Sequence, residues 1–201
     1  MMILRTSPPS PFGRKVKIAA SVLGLSDRLK VEGADTADPG DSLRKQNPLG
    51  KIPVLIEDDG TTWYDSRVIV EYLDHLAGGG KLLPQGAARL PVLRLQALAD
   101  GLVDANILIL YEGRWRDPAH HEAKWLEYQQ GKVARALDAL AEQASEFTGK
   151  VDAGTISVAC ALGHMDLRFE GAYRKSHPAL DGFMNRFAAD VPAFEATKVT
   201  A

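Results

Sequence analysis

Residues Gly78 to Pro84 split this chain into two stretches with different hydrophobic periods. Before the Gly-rich run, short apolar segments bounded by Pro, Gly and Asp alternate with helical patterns. After it, apolar residues step by three and four and no strand pattern is found. The division predicts an α/β domain over residues 1–78, a linker over 79–86 and an all-α domain over 87–201. A chain of 201 residues is long enough for two small cores.

Met2 to Thr6 is short, apolar and closed by Ser7-Pro8-Pro9, the pattern of a buried strand ending in a turn. Val16, Ala19, Ala20 and Leu23 then recur at helical spacing, with Gly24 as a stop. Leu29 to Gly33 reads as a second strand, and the polar stretch from Ala34 to Gln46 as a surface excursion holding one irregular helical turn. Pro53 to Ile56 and Thr61 to Tyr64 flank Asp59-Gly60, a strong hairpin signal. A helix is predicted from about Ser66, where Ile69, Tyr72, Leu73 and Leu76 share one face. The order is strand, helix, strand, then strand, strand, helix.

Beyond the linker, Leu95, Leu98, Leu102, Ala105 and Ile109 step along one face of a long helix suited to a bundle or a second subunit. Pro118 takes the first position of a next helix running toward Phe147. Thr155 to about Glu170 is apolar enough to be a central buried helix, and Pro178 opens a further one.

Charge excludes one class of partner. The net charge is −2, with 10 basic and 11 acidic residues through Ala77 and 14 and 15 beyond it, so neither half carries the basic excess of a nucleic-acid binder. No apolar run approaches the ~20 residues of a membrane span, and the N-terminus lacks a secretory pattern, so a cytoplasmic location is expected. Cys160 is the only cysteine, which rules out an intrachain disulfide and suits a core filler.

Three short stretches carry the chemistry. Ser10 stands at the mouth of the first helix with Pro11 at its first position, which taken alone is an ordinary cap. The unpaired N–H groups and positive dipole end there also stabilise an anionic sulfur, by ~0.3–1 kcal/mol or more when partly buried. Ser10 and Gly13 occupy the positions of the two cysteines in the Cys-Pro-Tyr-Cys turn of glutaredoxins, so a dithiol cycle is impossible and any sulfur must come from a ligand. Ser7 in the same loop is a rival donor.

The second stretch is Asn47-Pro48-Leu49-Gly50-Lys51-Ile52-Pro53-Val54-Leu55. A cis Ile52–Pro53 bond, at a cost of about 0.5–1 kcal/mol, would turn the Ile52 backbone outward to pair with an extended peptide. The third is Asp65-Ser66, where Ser66 is predicted as the N-cap and its hydroxyl and free N–H groups suit a carboxylate. A thiol-directed group, a strand edge and a carboxylate-directed helix end together meet the needs of a γ-glutamyl tripeptide thiol, glutathione.

On Ser10, Asn47 to Leu55 and Asp65 to Leu73, the chain resembles the soluble glutathione S-transferases of the serine or cysteine type, over nearly its full length. The resemblance implies a thioredoxin-like N-terminal domain (βαβ-ββα) and an all-α helical bundle. It further implies a homodimer that conjugates glutathione, as co-substrate and without a metal, to a small electrophile. Ser10 would donate to the glutathione sulfur and lower a thiol pKa of ~8.5 without itself being a nucleophile. Ile52 would bond the cysteinyl backbone, with Pro53 cis. Asp65 would face the γ-glutamyl ammonium, Ser66 the γ-glutamyl α-carboxylate and Lys51 the glycyl carboxylate. Asp100 resembles an acidic residue that in some members crosses the dimer interface toward the γ-glutamyl amine.

The second substrate would sit between the Ser7 to Pro11 loop, with Phe12, and the helix end from Asn106 to Trp115, where Tyr111 and Trp115 offer aromatic surface. Gly50 stands where some members place a histidine. Members usually have a capping box at the buried C-terminal helix, Ser or Thr with Asp three residues on; here Thr155 is followed by Val158, so its reciprocal half is expected to be lost.

Three alternatives stay open: glutathione-dependent isomerisation, dehalogenation, and a non-catalytic interaction platform on the same fold. His120, His121 and Glu122 lack the second histidine of a zinc-protease helix and read as a solvated helix start. His75, His164 and His177 have no partner at ligand or triad spacing, and Gly80-Lys81 lacks the Ser or Thr of a phosphate loop.

Overall fold

The computed structural model describes residues 1–199. Its first part is a four-stranded sheet of β1 (Met2–Thr6), β2 (Leu29–Gly33), β3 (Val54–Ile56) and β4 (Thr62–Trp63) in the order β2-β1-β3-β4. β1 and β2 are parallel, joined through helix α1 (Pro11–Val22); β1, β3 and β4 are antiparallel neighbours. Leu4 sits at the sheet centre, opposite Val31 on one side and Leu55 on the other, and is fully buried. Between β2 and β3 a single short turn, α2 (Leu43–Gln46), interrupts the polar excursion. The β3–β4 hairpin turns at Gly60, whose φ of +89° suits a residue without a Cβ. This is the thioredoxin-like fold that the resemblance implies.

α1 and α3 (Ser66–Leu76) pack together through the predicted faces, with Val16, Ala19, Ile69 and Leu73 all fully buried. Gly13 lets α1 lie against the strand before it, because a Cβ there would overlap the Thr6 hydroxyl. That close approach fixes the first turn of α1 relative to β1, and with it Ser10. The Gly78 to Leu82 run after α3 is held by Asp74, whose buried carboxylate accepts from the backbone N–H of Gly80 (2.9 Å), Lys81 (3.1 Å) and Leu82 (2.8 Å).

The helical part comprises α4 (Arg89–Trp115), α5 (Ala123–Glu142), α6 (Ala144–Phe147), α7 (Ala153–Arg168), α8 (Tyr173–Ser176), α9 (Pro178–Asp190) and α10 (Pro192–Ala196). Every residue of α7 from Ala153 to Met165 is buried, as an apolar helix at a bundle centre requires. It packs along α4 and also on α1, which ties the two parts together. A Cβ on Gly154 would come within 3.0 Å of the Val92 carbonyl oxygen, so α4 and α7 approach this closely only with glycine there. Arg14 of α1 reaches the C-terminal segment, donating to the Phe194 carbonyl (2.5 Å) and lying 4.0 Å over the Phe194 ring. Among the described residues no helix is long and apolar enough to cross a membrane.

Three expectations are corrected. α7 does carry a capping box, built from Asp152 and Thr155: Asp152 Oδ1 accepts from the Thr155 N–H, and Thr155 Oγ1 accepts from the Asp152 N–H, both at 2.9 Å. The pair lies about one helical turn before that of Thr155 and Val158. Pro118 begins a separate 3-10 turn rather than α5, which starts at Ala123 with Glu122 as its cap, and the helix breaks at Gln143 before Phe147. The N-cap of α3 is Asp65, whose side chain accepts from the Arg67 N–H at 2.9 Å, and Ser66 is the first helical residue. His177, which has no partner at ligand or triad spacing in the sequence, lies 2.9 Å from Ser176 Oγ and 3.0 Å from Asp138 Oδ1.

Candidate functional site

A cleft of about 1150 Å³ opens between the sheet part and the helices α4 and α7. The loop after β1 and the start of α1 supply Ser7, Ser10, Pro11 and Phe12; the loop before β3 supplies Lys51, Ile52 and Pro53; the α3 start supplies Asp65 and Ser66. Asp100, Tyr111 and Trp115 reach it from α4. Twelve of the thirteen residues singled out from sequence therefore meet in one space.

The exception is Asn106. It is 1% exposed and its Nδ2 has no hydrogen-bond partner. On α4 the cleft-facing residues include Asp100, Asp104, Ile107 and Tyr111, spaced by three and four, whereas Asn106 shares the buried stripe of Gln96, Ala99 and Val103. Two polar residues on that stripe, Gln96 and Asn106, disguise it as surface in the sequence.

Ser10 is the N-cap of α1. Its Oγ accepts from the Gly13 N–H at 3.1 Å and leaves its own O–H free to donate, with Pro11 behind it at the first helical position. The Ser10 side of α1 therefore offers a hydroxyl proton and a helix N-terminus to the same cleft. Ser7 also lines the cleft and stands one turn earlier, its carbonyl accepting from the Ser10 N–H at 3.1 Å.

The Ile52–Pro53 bond is cis. Asn47 organises the approach to it: its Oδ1 accepts from the Leu49 N–H (3.0 Å), its Nδ2 donates to the Lys51 carbonyl (2.9 Å), and Gly50 closes the turn with φ of +62°. Among the described residues the Ile52 N–H and C=O have no partner within the chain. A backbone donor and acceptor so placed are complementary to one extended peptide unit. Ser66, as the first residue of α3, presents a backbone N–H that no helical carbonyl can reach.

The charged groups around the cleft were mostly missed from sequence, because they come from helices whose rotation is set only by packing. Asp100 is 5% exposed, and both its oxygens are held by Lys15 Nζ, at 2.7 and 2.9 Å, with Arg67 Nε at 3.5 Å. Its carboxylate is thus engaged within its own chain. Asp104, one turn on, has its carboxyl pushed up by desolvation and by the Asp100 charge. Arg67, Arg114, Arg168 and His164 also line the cleft. Burial, helped by the Arg168 charge, pushes the His164 ring down to about 4. The Cys160 thiol, pushed up by burial to about 12, is no candidate thiolate at neutral pH.

Comparison with known proteins agrees with this architecture. The model for the glutathione S-transferase N-terminal domain matches residues 4–81. The uncharacterized GST-like protein YibF of Escherichia coli K12 is 35% identical over 171 residues, covering 83% of each chain. A glutathione transferase family member from Pseudomonas fluorescens Pf-5, solved with bound glutathione, superposes with a TM-score of 0.92 at 39% identity over 100% of both chains. A glutathione S-transferase from Methylobacillus flagellatus KT with GSH bound gives a TM-score of 0.87 at 35% identity over 98% of both chains. The chain belongs to the glutathione S-transferase family.

Proposed function

We propose that this protein is a glutathione transferase that holds glutathione in the cleft and joins its sulfur to a small electrophile. The observation that carries this reading is the unpaired Ile52 amide and carbonyl, beside cis Pro53, in the same cleft as the Ser10 hydroxyl and the start of α3. One extended tripeptide with a thiol and two carboxylates would satisfy all three. The glutathione named in the Pseudomonas and Methylobacillus structures supports the same ligand here.

In this reading Ile52 bonds the cysteinyl unit, the Ser66 hydroxyl and N–H hold the γ-glutamyl α-carboxylate, Asp65 faces the ammonium, and Lys51 takes the glycyl carboxylate. Asp100 acts from the same end, through its pair with Lys15. Ser10 donates to the sulfur and stabilises the thiolate, whose pKa of ~8.5 in water would otherwise leave little anion at neutral pH. The thiolate attacks the electrophilic carbon: a C–S bond forms, and with an aryl halide the carbon–halogen bond breaks and halide leaves with the electron pair. Pro11, Phe12, Tyr111 and Trp115, with Ser7 at the edge, would surround the electrophile.

The proposal extends to a cytoplasmic homodimer divided at the 79–86 linker, for which a two-chain mass in sedimentation is the check. The central test is retention on immobilised glutathione followed by turnover of 1-chloro-2,4-dinitrobenzene. Retention with turnover is expected; absence of both would refute the ligand and favour the interaction platform.

A further inference from the structure

The cleft is electrostatically divided along α4. Asp100 and Asp104 lie at one end with Lys15, Arg67 and Lys51 around them. Arg114 lies ten residues beyond Asp104, about 15 Å along the axis at ~1.5 Å per residue. There the lining turns apolar and aromatic, with Ile107, Leu110, Tyr111 and Trp115. Two guanidinium groups line the cleft beyond that acidic pair, Arg114 from this end of α4 and Arg168 from the last turn of α7.

Among the described residues neither has a carboxylate partner. Arg114 instead rests over the rings of Tyr111 (5.6 Å) and Trp115 (5.2 Å), which holds its fork at the cleft wall. Arg5, Arg67, Arg89, Arg116, Arg174 and Arg186 are paired with carboxylates, whereas Arg114 and Arg168, like Arg14, Arg28, Arg44, Arg94 and Arg135, form no such pair among the described residues. One turn before Arg168, His164 is 6% exposed, faces the cleft beside the Ser10 loop, and its Nδ1 has no hydrogen-bond partner. A buried, unpartnered ring nitrogen in the same cleft as two exposed guanidiniums without carboxylates and an aromatic wall is a site short of a ligand.

We infer that the second substrate is an electrophile bearing a carboxylate, its apolar body against Tyr111 and Trp115 and its anion between Arg114 and Arg168. A planar guanidinium can bind a carboxylate through two parallel N–H donors, which fixes the substrate's orientation as well as its charge. The anion is thereby drawn to the end of the cleft away from Asp100 and Asp104, and the reactive carbon is left toward Ser10. The inference rests on the transferase reading given above and names the class of substrate it serves.

The test uses two products of aromatic substitution, S-(4-carboxy-2-nitrophenyl)glutathione and its 4-carbamoyl counterpart, titrated calorimetrically against the protein alongside glutathione. The two differ in charge and hardly in shape. The parent protein is expected to bind the carboxylate about tenfold more tightly, as one charge-assisted contact provides. The double variant Arg114→Gln with Arg168→Gln is expected to lose that preference, and Arg114→Lys with Arg168→Lys to keep part of it. Equal affinity for the two products in the parent, or a preference that survives the Gln variant, overturns the inference while leaving the transferase reading intact. A parent that binds neither glutathione nor either product overturns both.

Discussion

Lys15 Nζ and Asp100 Oδ1 lie 2.7 Å apart in a pair that is nearly sealed from water, with side-chain exposures of 1% and 7%. The pair links α1, which carries Ser10 at its start, to α4, which forms the opposite wall of the cleft. It therefore sets the relative position of the two halves of the site.

Removing one partner leaves the other charge buried. Asp100→Ala is expected to destabilise the fold by ~3–5 kcal/mol, whereas Lys15→Met combined with Asp100→Leu should cost far less, because a buried ion pair replaced by apolar groups of similar size is often near neutral. Urea titrations of the single and double variants check this. Additive losses in the double variant would contradict it.

Ser10→Ala removes both a helix cap and the hydroxyl donor. A stability loss of ~1 kcal/mol is expected from the cap. Turnover is expected to fall about 10- to 100-fold, the worth of one hydrogen bond to a charged group, with glutathione affinity held within a few fold and the pH profile of kcat/KM displaced upward. Equal rates in variant and parent would shift the role to Ser7 or to the backbone amides.

His164 links stability to pH. Its folded-state pKa is pushed down to about 4 from an ordinary value near 6.5, so the unfolded chain binds the extra proton in between. Its contribution is fully present above pH ~6.5 and is lost as pH falls toward ~4, a decline of ~2–3 kcal/mol. Denaturant midpoints measured from pH 7 to 4 should flatten in His164→Phe; an unchanged slope would count against this.

Cys160 is buried inside α7, with its thiol pushed up to about 12. Native protein is therefore expected to resist iodoacetamide at pH 8 and to react fully once unfolded, since the thiolate is the nucleophile. Mass spectrometry of the single adduct reads this directly, and rapid labelling of the native chain would be the contrary result.

Asp74 closes the glycine-rich segment after α3 through three backbone N–H groups. Asp74→Ala strands these donors and is expected to cost ~2–3 kcal/mol. Thermal melts of this variant and of Asp74→Asn, which keeps an acceptor oxygen, should separate the two.

The strands, the hairpin at Gly60 and the buried faces of α1 and α3 were legible because local signals there agree: alternation, turn residues and three–four spacing all point one way. The thirteen site residues were less evenly legible. Residues in loops, such as Ile52 and Pro53, were readable because their role follows from backbone chemistry that the local motif dictates. Asn106 misled because a polar residue in the buried stripe of α4 looks like surface until α7 is seen against it. Arg114, Arg168 and His164 gave no local sign, since they lie on two helices far apart in sequence and meet only in the cleft.

By itself the chain's order of residues determined the sheet-then-helices plan, the cap at Ser10, the turn before Pro53 and the absence of a second cysteine for redox work, since each depends on neighbours within a few positions. Only the tertiary structure decided which face of α4 looks into the cleft, that Asp100 is taken by Lys15, and that two arginines stand there without carboxylates. The reason is rotational. A helix's period says which residues share a face, but which face is turned toward the site depends on how its partners pack against it.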